Sequence, residues 1–218
     1  GVPRSFTIVD EGRGVLFLRS PSGSDPTMAL WLAVRTEEGG LEERCLVDPA
    51  DLEVDEDDLP PEERARRERA REQAGGIVDY AADERGELIA FAYGGRLFTH
   101  HRPSAATVEH PSAGAVFDPR PSPDGSRVAY VSGSGLHVLE LPAGPTQAGV
   151  TRPLLIEEGV IWGRAEFVAA EEMRRTRGYW WAPDSTRMAV ARVDESAVQT
   201  WHIADPANPD AAPTVHRY

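Results

Sequence analysis

Ser122-Pro-Asp124-Gly-Ser-Arg-Val-Ala129-Tyr130 couples a tight turn to an apolar strand, and related units recur along the chain. In the turn, Pro presets φ and Asp hydrogen-bonds its own backbone. The apolar alternation that follows marks a strand. The related units are Gly12-Arg-Gly14-Val-Leu-Phe17-Leu, Asp83-Glu-Arg-Gly86-Glu-Leu-Ile-Ala90-Phe91 and Ala182-Pro-Asp184-Ser-Thr-Arg-Met-Ala189-Val190. A second short apolar segment follows each one: Leu30-Trp31-Leu-Ala-Val, Arg96-Leu-Phe98, Leu136-His-Val-Leu-Glu-Leu141 and Gln199-Thr-Trp201-His-Ile203. Gly94-Gly95 and Ser132-Gly-Ser-Gly135 fit hairpin turns.

Strand–turn–strand units at roughly forty-residue spacing, stretched by insertions, predict a mainly β chain folded as a partial β-propeller of about four blades. An irregular β-sandwich shares the short strands and turn signals. The same turn before the same strand position, repeated, favours the propeller. So few units close only the smallest kind of propeller, so the expectation is that residues 1–218 are part of a larger protein.

Insertions break the β pattern at two places. The first, at about 51–75, holds the acidic run Asp51 to Asp58, then Pro60-Pro61, then Glu62-Glu63-Arg-Ala-Arg-Arg-Glu-Arg-Ala-Arg71-Glu-Gln-Ala, and ends in Gly75-Gly76. Pro at the start, Glu in the first turn and Gly after the end predict a helix. Glu62–Arg66 and Glu63–Arg67 are spaced to pair along it. Only alanines could form an apolar face, so it reads as a solvated charged helix. The functional alternative is a rim helix that presents one arginine to a cavity.

The second insertion, at about 163–178, carries Glu166-Phe-Val-Ala-Ala-Glu171-Glu172-Met173 and leads into Gly178-Tyr-Trp-Trp181. Adjacent carboxylates repel, and they make sense where a cation must be held: a metal, a Lys or Arg, or a substrate ammonium. The plain alternative is an exposed helix paired locally with Arg174, Arg175 and Arg177. Two features favour a site. Tyr179, Trp180 and Trp181 form a large apolar group beside the carboxylates, and functional residues concentrate in loops on rigid scaffolds.

The remaining chemistry is sparse. A formal net charge of −13 argues against a nucleic-acid partner. Cys45 is the single cysteine, so no intrachain disulfide forms, and its strand context suggests a small apolar filler. His100 and His101 would point to opposite faces of a strand with no third ligand at useful spacing, so no zinc site is expected. No cofactor-binding loop and no Gly-x-Ser-x-Gly nucleophile elbow occurs. No apolar run approaches a membrane span. The segment Gly1-Val-Pro-Arg-Ser-Phe lacks the layout of a signal peptide, which makes a cytoplasmic location the default expectation.

Several motifs together resemble the dipeptidyl-peptidase-IV branch of the prolyl-oligopeptidase serine peptidases. They are Arg67-Glu-Arg69-Ala-Arg71 leading to Gly76-Ile-Val-Asp-Tyr80, then Ala165-Glu-Phe-Val-Ala-Ala-Glu171-Glu172-Met, Gly178-Tyr-Trp-Trp-Ala-Pro-Asp-Ser185, and Asp194-Glu195-Ser-Ala-Val198. The first sixty residues match only in repeat style. The resemblance implies an N-terminal propeller stacked on a C-terminal α/β-hydrolase domain, which carries the Ser-Asp-His triad and is not in this chain. It implies that Glu171 and Glu172 bind the protonated N-terminus of a peptide substrate and that Arg71 reaches its backbone carbonyl region. Holding the ammonium two residues from the scissile bond releases a dipeptide, often after Pro or Ala. Homodimers are common in such a family. The competing reading, from another class, is a non-catalytic propeller-like module that holds a basic protein partner.

Overall fold

The computed structural model describes residues 1–54, 75–204, 206–208 and 212–217. Expectations for the charged helix, Arg71 included, fall on 55–74 and lie outside the described residues. The first sheet runs β1 (Arg4–Val9), β2 (Gly14–Arg19), β3 (Thr27–Arg35) and β4 (Leu41–Val47), with β5 (Gly75–Gly76) parallel to the start of β3. The second runs β6 (Tyr80–Ala82), β7 (Leu88–Tyr93), β8 (Arg96–His101) and β9 (Ala106–His110). The third runs β10 (Phe117–Pro121), β11 (Arg127–Ser132), β12 (Gly135–Glu140) and β13 (Val150–Leu155). Apart from β5, the strands of each sheet are antiparallel and follow chain order, as short hairpin turns dictate.

The fourth repeat is present but divided. β14 (Val160–Trp162) pairs with β17 (Arg192–Asp194), β15 (Tyr179–Trp181) with β16 (Met188–Val190), and β18 (Thr200–Ile203) with β19 (Thr214–Arg217). Residues 163–178 leave the sheet between β14 and β15 and return to it, so the strands on either side form separate short pairs.

Side-chain alternation explains why the sheets stack. On β7, Ile89, Phe91 and Tyr93 join a core with Leu16, Leu18, Leu30 and Leu32 of the first sheet. Leu88 and Ala90, on the opposite face of the same strand, pack with Val128, Tyr130 and Leu139 of the third. β11 repeats the arrangement. Val128 and Tyr130 face backwards, while Ala129 and Val131 face forward onto Tyr179, Trp181 and Val190. The near-continuous apolar runs in the sequence are therefore strands buried on both faces.

The turns form a belt along the stack. Between Tyr93 and Arg96, Gly94 and Gly95 have φ of 55° and 73°, the two left-handed steps that a type I′ hairpin turn requires. The Asp83 carboxylate accepts from Glu87 N at 2.7 Å, and Asp124 accepts from Ser126 N at 3.0 Å. Neighbouring turns then touch. Glu84 N donates to Pro123 O at 3.2 Å, and Asp124 N donates to Ser185 Oγ at 3.0 Å.

Cys45 departs from its expected role as filler. It lies exposed on β4, opposite Trp31, on the face of the first sheet turned away from the second. Among the described residues no sheet packs on that face, and Phe6 and Ile8 are 63% and 73% exposed there. Filling a core needs a second layer, and none covers this face among the described residues.

Candidate functional site

The segment 163–178 is clamped where it leaves and rejoins the sheet. Gly163 N donates to Ala191 O at 3.0 Å, Ala191 N to Gly178 O at 2.7 Å, and Ala165 N to Thr176 O at 3.1 Å. Arg164 and Arg177 face one another in an antiparallel bridge. Gly178 is required by close approach, since a Cβ there would lie 2.5 Å from backbone atoms of Arg164 and Gly163.

At the tip is a short helix, Phe167–Glu172. Glu166 caps it, its two carboxylate oxygens accepting from Val168 N and Ala169 N, both at 2.7 Å. Ala169 is the buried residue of the helix, and its carbonyl accepts from Met173 N and Arg175 N as the chain turns back. Arg174 takes a left-handed conformation in that turn, with φ of 53°.

Glu171 and Glu172 are the last two helical residues, and both are exposed. Carboxylates at a helix C-terminus meet the negative end of the backbone dipole, where Lys or Arg is the ordinary choice. No basic residue occupies the last turn. Arg175 and Arg177 make contacts within the return limb. Arg175 donates to Arg177 O at 3.1 Å and Arg177 to Tyr179 O at 2.7 Å, and both guanidinium groups lie over the Trp180 ring. Trp180 is thus the half-open member of the aromatic group, while Tyr179 is fully buried and Trp181 bonds Arg120 O through its indole N–H at 3.1 Å.

Beneath the return limb lies a polar cluster that sequence inspection missed. Asp118 pairs with Arg120 at 2.6 Å, and its backbone is left-handed, with φ of 49°. Burial pushes the Asp118 carboxyl up, against the lowering influence of Arg120, and its Oδ2 atom is buried without a hydrogen-bond partner among the described residues. The Tyr179 hydroxyl reaches both the Asp118 and Ala129 carbonyls, the latter at 2.8 Å. Burial raises the Tyr179 pKa well above its ordinary value, so the hydroxyl stays a donor. A cleft lined by Asp79, Gly94, Gly95, Asp118, Pro119 and Thr176 runs between the second sheet, the third and the return limb. The available signal was the Pro-bracketed Asp118-Pro-Arg120-Pro, whose rigidity marks a special backbone segment.

His100 is buried on β8 and bonds Thr107 through Nδ1 at 2.9 Å, while His101 lies on the opposite face. Among the described residues no group of three or more His, Cys, Asp or Glu is placed to hold a metal ion. Among the same residues no helix is long and apolar enough to cross a membrane.

Antiparallel four-stranded sheets, stacked face to face around apolar interfaces and interrupted by a clamped excursion, define a β-propeller segment. Residues 90–218 match the dipeptidyl peptidase IV (DPP IV) N-terminal region, and the chain belongs to that family. The crystal structure of Porphyromonas gingivalis dipeptidyl peptidase 4 has the same fold, with a TM-score of 0.64 at 18% identity over 99% of this chain. The chain spans 29% of the length of that protein.

Proposed function

We propose that this chain is the substrate-recognising propeller portion of a serine-type dipeptidyl peptidase, and that Glu171 and Glu172 hold the free N-terminus of the peptide. The observation that carries the proposal is the placement of both carboxylates. They are consecutive and exposed, at the wrong end of a helix for their charge, on a segment braced against the sheet. A peptide ammonium offers donors to both. Charge-assisted hydrogen bonds of this kind are about twice as strong as neutral ones.

In this reading the exopeptidase action follows from where the ammonium is held. A cation fixed at the excursion places the peptide bond two residues further on at a constant distance, so a dipeptide leaves. Arg71 contacts the substrate carbonyl region in this scheme. The nucleophile and its Asp and His partners come from an α/β-hydrolase domain of the same protein. Binding energy spent at the N-terminus then aligns a bond that the propeller itself does not attack. The enzyme is read as cytoplasmic, and a homodimer is compatible with the scheme.

The test is hydrolysis of Xaa-Pro chromogenic amides by the full-length protein, with free and N-acetylated termini. Preference for the free amine is expected. Equal rates on both substrates contradict the ammonium anchor, and no hydrolysis of either favours a binding module.

A further inference from the structure

We infer that Tyr179, with the Asp118–Arg120 pair beneath it, is a positioning device that sets where Glu171 and Glu172 stand, and so tunes selectivity for free peptide N-termini. The inference rests on the ammonium reading given above and extends it to residues that do not touch substrate.

The return limb, Thr176 to Trp181, is where the excursion is fixed to the rest of the fold. Three observations describe its seat. The Tyr179 hydroxyl is fully buried and reaches the carbonyls of Asp118 on β10 and Ala129 on β11, so one side chain ties the limb to two strands of the third sheet. The Trp181 indole donates to Arg120 O on the same β10 segment at 3.1 Å. The β10–β11 register shifts between Phe117 and Arg120, which turns the Asp118 carbonyl out of the ladder and frees it for Tyr179.

The Asp118–Arg120 ion pair holds that bulge in shape. Asp118 adopts a left-handed conformation, which costs a non-glycine residue some strain that the surroundings must offset. Arg120 supplies the constraint through the 2.6 Å pair. Arg177, one residue after Thr176, lies in the field of both groups: Asp118 favours its charge, while Arg120 and burial oppose it. Among the described residues, the charged groups facing the limb from the third sheet are Asp118, Arg120 and Arg127, the last lying over the Trp181 ring, with Asp79 contributing from the residue before β6. From this seat the chain runs back through Arg175, whose amide bonds Ala169 O at 3.0 Å, to the last helical turn. A shift at Tyr179 is thus passed along a short, hydrogen-bonded limb to the two carboxylates.

The experiment compares KM and kcat of the full-length enzyme on a free-amine Xaa-Pro amide and on its N-acetyl counterpart. Tyr179→Phe keeps the ring and removes the tie. The expected result is a KM for the free-amine substrate raised on the order of 5- to 30-fold, with kcat nearly retained, so that the selectivity ratio falls by that factor. Asp118→Asn, which keeps size but weakens the pair, should shift the ratio in the same direction. Tyr130→Phe is the matched control, because it also deletes a hydroxyl, one that bonds Ala113 N and Thr151 on the side of the third sheet away from the limb. It should lower the melting temperature and leave the ratio unchanged.

An unchanged ratio in Tyr179→Phe, with wild type selective, overturns the inference and leaves the ammonium reading standing. A ratio that falls equally in Tyr130→Phe also overturns it, since general destabilisation then accounts for the effect. Wild type without selectivity removes the ammonium reading and the inference together.

Discussion

Arg102 grips Asp10 with both terminal nitrogens, at 2.6 and 2.7 Å, across 92 positions of sequence. Its Nε donates to Gly86 O at 2.8 Å, so one guanidinium joins the β1–β2 turn to the turn that precedes β7. The planar fork suits both contacts at once, and an ammonium cannot reproduce it. Arg102→Lys should therefore destabilise the fold by about 1–2 kcal/mol in urea unfolding. The guanidinium also holds the Asp10 carboxyl below its ordinary value. The stability it contributes is present above the ordinary carboxylate pKa and lost as pH falls through the lowered one. In Arg102→Lys the acid limb of the stability curve should be flatter.

The recurring turn places Gly125 in the third sheet where the fourth unit has Ser185, and both are left-handed, with φ of 70° and 60°. A serine tolerates that strain because its buried hydroxyl accepts the Asp124 N–H of the neighbouring turn. Ser185→Ala keeps the strain and orphans the amide, and should cost about 1–3 kcal/mol. Ser185→Gly relieves the strain and should cost less. Thermal melts rank the two variants: a reversed order would contradict the strain, and no loss in either would contradict the turn-to-turn link.

Burial lowers the pKa of both His100 and His110 to about 4, from an ordinary 6.5. The Gly149 N–H bonds His110 Nδ1 at 3.0 Å, which leaves Nε2 to donate to Thr99 Oγ1 at 2.7 Å, so the neutral ring is fully used. The unfolded chain takes up protons near pH 6.5 and the folded one only near 4. Stability is thus complete above 6.5 and declines as pH falls towards 4, by roughly 1–3 kcal/mol for each histidine. The raised carboxyls of Asp83 and Asp118 act in the opposite sense. A series of urea midpoints across this range should show the decline, and the His100→Gln, His110→Gln double variant should flatten it.

Gly178→Ala inserts a methyl 2.5 Å from the backbone of Arg164 and Gly163, at the neck of the excursion. No flexible side chain can move aside, so the limbs must part, at a cost of about 2–4 kcal/mol. Gly133→Ala is the comparison: its φ is 57° and open space surrounds it, so only the roughly 1 kcal/mol of left-handed strain applies. Similar losses in the two variants would show that the neck is looser than described.

The fold was legible because its signals are local. Pro-Asp-Gly turns, glycine hairpins and period-two alternation mark β2, β7 and β11 directly. The division of the fourth unit was not legible, since it depends on how the excursion spaces β14 from β15. Cys45 misled because a strand context says nothing about whether a second layer covers that face. At the site, Glu171 and Glu172 stood out as like charges in sequence, and the role proposed for them rests on the surrounding motifs. Asp118, Arg120 and Tyr179 stayed hidden because contacts across 61 positions of sequence leave no spacing to read.

The central claim is that two carboxylates on a braced excursion measure peptides from their free N-terminus. It is tested most directly by the ratio of kcat/KM for a free-amine Xaa-Pro amide to that for its N-acetyl form, measured in the full-length protein and in the Glu171→Gln, Glu172→Gln double variant. The account predicts that the variant loses about 100-fold or more on the free amine and little on the blocked substrate, so the ratio collapses towards unity. A ratio that survives in the double variant would contradict it.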